Sequence, residues 1–361
     1  MFDALTAVLA RLRALLGKEF LQLLRDPRMR FVLVFPPLLQ LLLFGYAATF
    51  DVRHADIAVV NYDDSRASRE LLSAIAATRH YTLRNFRNVA AASAAMDRNE
   101  VRVILQIPSR FTVKRTVQLD ADGSDPNSAA LIVAEMSQII MQHAQLEAGI
   151  TPPVSVEQRA WFNPNLDDRW FFVPGIMGNV VFISTMMLTA MLVVREREAG
   201  TLERLMVTPV ARIEFLVGKM VPVTCVGLFD ALMIAAVAIA WFDVPFRGEP
   251  WALVVASLIL LASTQGLGLL VSSYAATQQQ AMLTASFFVM PMMILSGFAF
   301  PIRNMPEGIQ WLSTLDPLRY YLVVIRDLFL KGGGVGDHLF EYGMMALLGA
   351  GALALSVRRV R

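Results

Sequence analysis

Between Trp251 and Ile302 the chain runs for 52 residues without a charged side chain or a histidine. A bilayer core is crossed by about 20 apolar helical residues, so this run is too long for one crossing and too apolar for a soluble core. It must fold back. The only polar cluster inside it, Ser272-Ser273-Tyr274 followed by Thr277-Gln278-Gln279-Gln280, places the turn and leaves two spans, 251–274 and 281–300. Composition agrees: 56% of the 361 residues are apolar and 17% charged, against about 45–50% and about 25% in a soluble domain. The expected class is an α-helical integral membrane protein.

Four further segments complete a set of six spans. Residues 31–50 form an uncharged stretch, too long for the apolar part of a signal peptide, with Pro36 and Pro37 implying a kink or an irregular start. Residues 170–194 carry no charge, 220–242 is interrupted only by Asp230, and 339–357 is the last span. Lys and Arg in the short flanks orient the set. Residues 1–30 hold six, 195–219 hold five and the tail 358–361 holds three, whereas the opposite short segments, around Arg247 and across 301–338, hold five together. Both termini are therefore expected in the cytoplasm, with 51–169 and 301–338 outside.

The segment 51–169 reads as an inserted mixed α/β domain. Ile57–Val60, Tyr81–Phe86, Val101–Ile107 and Thr116–Leu119 have strand character; Ser68–Thr78, Val89–Arg98 and Ser128–Glu147 have helical character. It contains no GxSxG, HExxH or convincing carboxylate pair, so no enzyme is read from it. Asp120, Asp122 and Asp125 lack the later ligands of a calcium loop and read as a solvated turn. Cys225 is the only cysteine, and the four histidines have no metal-ligand spacing, so no metal or cofactor is expected. A formal charge of +2 leaves no nucleic-acid footprint.

Residues 1–30 read as an interfacial amphipathic helix, with Leu5, Val8, Leu9, Leu12, Leu15, Leu16, Phe20, Leu23 and Leu24 at helical spacing and Arg11, Lys18 and Arg25 mostly away from them. Pro317–Leu330 is apolar but broken by Arg319, Arg326 and Asp327, which suits a helix dipping into the outer leaflet. Between spans two and three lies Arg195-Glu196-Arg197-Glu198-Ala199-Gly200-Thr201-Leu202-Glu203-Arg204-Leu205-Met206-Val207-Thr208-Pro209. Thr201 is a good N-cap, Glu203 complements the helix dipole, and Thr208-Pro209 stops the helix after about two turns. So short a helix needs something to pack against.

Gly200-Thr201-Leu202-Glu203 followed by Thr208-Pro209 resembles the corresponding stretch in the membrane subunit of the ABC type-2 export family, multidrug-efflux branch. Further matching pieces are Asp122-Gly123-Ser124-Asp125-Pro126-Asn127, Trp161-Phe162-Asn163-Pro164-Asn165 and Phe172-Val173-Pro174-Gly175. The likeness covers nearly the whole chain. It implies a permease half that dimerises, identically or with a second kind of half. It also implies that a separate ATPase subunit is contacted through Glu196, Glu198, Gly200, Thr201, Leu202, Glu203, Arg204, Thr208 and Pro209. No GxxxxGK[ST] loop occurs, so ATP and magnesium would sit on that partner. The implied cargo is a hydrophobic or amphipathic small molecule, drug-like or lipid-like. A periplasmic adaptor and outer-membrane channel are the further partners to expect.

Asp230 at the middle of span three is costly unless it lines a path, holds a cation or is bonded in a packing contact, and Gln265 is the second candidate for a polar lining. Ser257, Thr264, Gly268 and Ser272 recur at helical spacing as a close-packing face. Two readings compete with the exporter. A proton-coupled secondary transporter would want more intramembrane titratable groups and a repeated half, and a membrane-anchored sensor with an extracytoplasmic ligand-binding domain would leave five closely spaced later spans unexplained.

Overall fold

A computed structural model describes residues 2–25, 27–47, 55–78, 80–124, 126–147, 161–164, 167–200 and 211–359. The chain divides into two compact units, one of Met1–Thr49 with Ala160–Arg361 and the other of Phe50–Arg159. The first is helical: α1 (Phe2–Arg25), α2 (Pro27–Ala47), then α7 (Asp168–Ala190), α8 (Leu192–Glu198), α9 (Arg212–Phe242), α10 (Pro250–Tyr274), α11 (Gln278–Leu295), α12 (Glu307–Ser313), α13 (Pro317–Leu330) and α14 (Leu339–Arg359). The second holds β1 (Ala55–Asn61), α3 (Arg66–Ala77), β2 (Tyr81–Asn85), α4 (Val89–Asp97), β3 (Val103–Ile107), α5 (Phe111–Lys114), β4 (Gln118–Ala121) and α6 (Pro126–Glu147).

Four helices among the described residues are long and apolar enough to cross a bilayer: Asp168–Glu198, Ile213–Phe242, Pro250–Tyr274 and Val335–Arg358. Six were expected from the sequence. Among the described residues the apolar stretch of α2 is Val34–Tyr46, and α11 begins with Gln278-Gln279-Gln280, which lowers its hydropathy. Pro36 and Pro37 lie inside α2 without ending it. The second expected span starts earlier, at Asp168, because the Asp167 side chain accepts the Arg169 N–H at 3.0 Å and caps the helix.

Helix α7 occupies the interior of its unit, with Val173, Met177, Val181 and Phe182 fully buried. Small residues set how closely its neighbours approach. A Cβ at Gly268 would stand 2.7 Å from Thr189 Cβ, so only glycine lets α10 lie this near α7. Ser263 Oγ donates to Met345 O at 2.6 Å and joins α10 to α14; Ser257 and Tyr321 hydroxyls meet at 3.1 Å between α10 and α13. The serine, threonine and glycine positions of α10 thus do pack against helices. Helix α13 is no surface segment: Leu318, Tyr321, Val324, Ile325, Leu328 and Phe329 are fully buried. Of its charges, Asp327 meets His338 and Lys331, and Arg319 donates to Ser313 Oγ.

In the α/β unit the sheet order is β2-β1-β3-β4, with β1 parallel to β2 and β3, and β4 antiparallel to β3. Alternation along the strands serves both faces. Ile57, Val103, Leu105 and Ile107 pack with Leu71 and Ile75 of α3 and Ile132 and Met136 of α6, while Ala58, Val60 and Ile104 pack with Ala92 and Ala95 of α4. Ser65 and Asn88 cap α3 and α4 by accepting the N–H groups of Ser68 and Ala91.

Candidate coupling site

The segment expected to meet an ATPase is described as far as Gly200 and again from Ala211. Helix α7 breaks at Met191, and α8 carries the chain through Glu198. Gly200 then takes φ +66°, a left-handed conformation that glycine adopts without steric cost and that commonly ends a helix. Thr201, Leu202, Glu203, Arg204, Thr208 and Pro209 lie outside the described residues. What the structure does place is the frame on either side.

That frame is tied by charge. Lys219 Nζ, in the first turns of α9, donates to Glu196 Oε1 of α8 at 2.5 Å and lies 2.7 Å from Glu19 Oε1 of α1. The three side chains are only 9–14% exposed, so water screens the network weakly. One turn earlier on α9, Glu214 accepts two hydrogen bonds from Arg11 of α1, at 3.1 Å from Nε and 3.0 Å from Nη2, in the bidentate geometry that fixes orientation best. Glu214 also accepts the Ala211 N–H at 3.3 Å. Two ion contacts therefore hold α1 along the start of α9, and one of them reaches across to α8.

The α8 side is fastened to the turn between α10 and α11. Arg197 Nη1 donates to Ala275 O at 2.8 Å, and Glu198 accepts the Gln278 N–H at 2.9 Å as well as the Gln278 side-chain amide. Ser272 Oγ accepts the N–H groups of Val193 and Val194 at 3.1 and 3.3 Å, which the break after α7 leaves without helical partners. Beneath these polar contacts Val193 packs with Phe215, Leu216 and Leu269. The chain on either side of residues 201–210 is thus fastened to α1, α8, α9 and the α10–α11 turn.

Of the residues expected to act here, Glu196, Glu198 and Gly200 lie in this frame. Sequence reasoning missed Lys219, Glu19, Arg11, Glu214 and Gln278. The two candidates for a polar path are not brought together. Gln265 Nε2 donates to Met220 O at 3.2 Å and Thr224 Oγ1 at 3.0 Å, so it ties α10 to α9. Asp230, buried in α9 with Oδ1 unpartnered, lies six residues beyond Thr224, about 9 Å along the helix axis. Among the described residues no cluster of His, Cys, Asp and Glu could hold a metal ion.

Residues 27–358 match the family described as ABC-2 family transporter protein. The chain is similar to the probable multidrug ABC transporter permease YbhR of Escherichia coli (strain K12), with 34% identity over 331 residues covering 89% of this chain and 90% of that one. It is likewise similar to the probable multidrug ABC transporter permease YbhS of the same organism, 31% identical over 337 residues with 89% of each chain covered. A more distant relative there is the inner membrane transport permease YhhJ, 24% identical over 365 residues with 95% of each covered.

Proposed function

The chain belongs to the ABC-2 family of transporter proteins, and on that premise we propose that it is the permease half of an ATP-driven exporter of hydrophobic or amphipathic small molecules. In this reading α2, α7, α9, α10, α11 and α14 are six spans, both termini are cytoplasmic, and the Phe50–Arg159 unit lies outside a bacterial inner membrane. Two halves form the pore, and a separate subunit binds ATP and magnesium. The outside unit is where a periplasmic adaptor and its outer-membrane channel would dock.

The observation that supports this best is the frame around residues 201–210. A passive loop needs no such fastening, whereas a segment that receives a push from another subunit must pass it to several helices at once. Lys219 does this by linking α1, α8 and α9. The permease has no covalent step; its residues transmit displacement and offer a path.

The test is Glu203→Lys in the assembled complex. Substrate-stimulated ATPase activity is expected to fall to near the unstimulated level, with the ATPase subunit bound more weakly. Stimulation and association both equal to the parent protein would refute the coupling role.

A further inference from the structure

Arg326 is a buried cation without a counter-charge. It projects from α13 toward the beginning of α7, its Cζ 3.7 Å from the centroid of the Phe171 ring. Its Nη1 donates to Gly297 O at 3.3 Å, but Nε and Nη2 are both covered and have no partner. Neighbouring charges are otherwise engaged. Asp327 faces His338 at 3.0 Å and Lys331 at 3.4 Å, and Arg319 donates to Ser313 Oγ and Gln310 O. Among the described residues no carboxylate pairs with Arg326. Burial lowers it to about 10, so it stays charged at neutral pH.

A stacked aromatic ring offsets part of the cost of such a charge, yet two buried N–H donors left unmade are a standing penalty. The pair left free is informative. Nε and Nη2 form the side-on edge of the guanidinium, the edge whose two parallel N–H groups match the two oxygens of a carboxylate or phosphate. The surroundings add a second property. Phe171, Phe172 and Phe298 stand in sequence around the site, with ring centroids 5.4 Å and 6.1 Å apart. A Cβ at Gly175 would lie 2.8 Å from Phe298 and 3.3 Å from Arg326 Nη2, so glycine there makes the space this edge occupies. Phe298 follows Gly297, whose φ of +80° turns the chain back toward α7.

We propose that Arg326 is the anchor of an anion-binding site that takes the oxyanion head of an amphiphile, a carboxylate or phosphate on an apolar tail, between α7, α13 and the Gly297 turn. The head is held side-on by Nε and Nη2, and the tail lies along the phenylalanines. Because both nitrogens are covered in this structure, Phe298 swings aside on the Gly297 turn to admit it. The same chemistry is carried by an anionic phospholipid of the bilayer and by an acidic amphiphilic cargo. Binding is measured without nucleotide or ATPase subunit, so it stands or falls apart from the transport reading.

The full-length permease in neutral detergent is titrated with phosphatidylglycerol, phosphatidylcholine, dodecyl phosphate and dodecyl maltoside while its thermal unfolding midpoint is followed. The anionic ligands are expected to raise the midpoint saturably. Arg326→Gln should weaken them at least about tenfold, the loss of one charge-assisted bidentate contact. Arg326→Lys keeps the charge without the planar fork and should fall between. If Arg326→Gln does not fold, Gly175→Ala crowds the same nitrogen without removing charge, and should also weaken anion binding. Arg326-dependent binding of phosphatidylglycerol alone identifies a lipid headgroup as occupant, and of dodecyl phosphate alone a cargo-like acid; either supports the site. Equal shifts from neutral and anionic ligands, or anion binding unchanged by Arg326→Gln or Gly175→Ala, overturns it.

Discussion

The two units of this chain handle polar groups in opposite ways. In the Phe50–Arg159 unit the core clusters are built from apolar side chains, and the ion pairs, Arg84 with Asp56, Arg66 with Glu70 and Arg98 with Glu100, are exposed. Its shifted carboxylates are pulled toward ionisation by what they touch: hydrogen bonding to Arg98 lowers Glu100, and hydrogen bonding to Ser124 lowers Asp122. In the helical unit several charges are withdrawn from water, and at Asp316 and Arg326 burial dominates. It pushes the Asp316 carboxyl up to about 8 and pulls Arg326 down. The difference teaches where function resides. Exposed pairs decorate a fold that would stand without them, whereas a buried charge is tolerated only where something is gained from holding it.

The widest gap between the units should appear at Lys219. Replacing it with alanine leaves Glu19 and Glu196 facing each other with little water to screen them. A destabilisation of about 3 kcal/mol is expected, at the low end for losing one member of a buried ion network because these groups retain some exposure. Thermal unfolding of the purified permease measures it. In the assembled complex the same variant should keep unstimulated ATP hydrolysis and lose the stimulation by substrate. A variant as stable and as coupled as the parent would mean that the helical unit treats its charges as the α/β unit does.

Much of the α/β unit was legible. A strand read over Ile57–Val60 is β1, Ala55–Asn61, and Tyr81–Phe86 contains β2, because alternation and turn residues are local signals. The helix read over Ser68–Thr78 begins at Arg66, where Ser65 supplies the cap. The helical unit was legible as apolar runs and illegible as contacts. Nothing in the periodicity of residues 1–30 says that Glu19 will meet Lys219, 200 positions away, or that Leu15 will lie against Gly218. Helix α13 shows the same limit: Arg319, Arg326 and Asp327 break its apolar run, but which of its faces are buried, and that Asp327 meets His338, are set by distant segments. Composition records charge and hydropathy, whereas what makes a buried charge tolerable is a neighbour brought by the fold.

Asp316 sharpens the comparison by pH. Its Oδ1 caps α13 by accepting the Leu318 N–H at 2.9 Å, while Oδ2 is covered and unpartnered. An acid whose folded value lies above its unfolded one holds its proton more tightly in the native state. Below about pH 4 both states are protonated and the group is neutral to stability. As pH rises from about 4 to about 8, only the unfolded chain releases the proton, so stability falls across that window and levels off above it. Asp316→Asn keeps an acceptor for the cap and cannot ionise. Its unfolding midpoint, followed from pH 5 to 9, should lack the decline of a few degrees expected in the parent protein; parallel curves would show that burial is not what governs this group.

The smallest effect is expected at Arg84 in the α/β unit. It grips Asp56 bidentately, Nε at 3.1 Å and Nη2 at 3.0 Å, between the neighbouring strands β2 and β1. The geometry is good, but the two side chains are 49% and 34% exposed. Water screens the attraction, and ordering two side chains costs entropy, so Arg84→Ala should destabilise by less than about 1 kcal/mol. Raising the salt concentration should shrink even that, because exposed charges are screened within a Debye length of about 8–10 Å. The Lys219 network should respond far less to the same salt. A salt-insensitive loss at Arg84 as large as that at Lys219 would erase the distinction between the units, since it would mean that a surface pair, well placed but solvated, contributes as much as a buried hub.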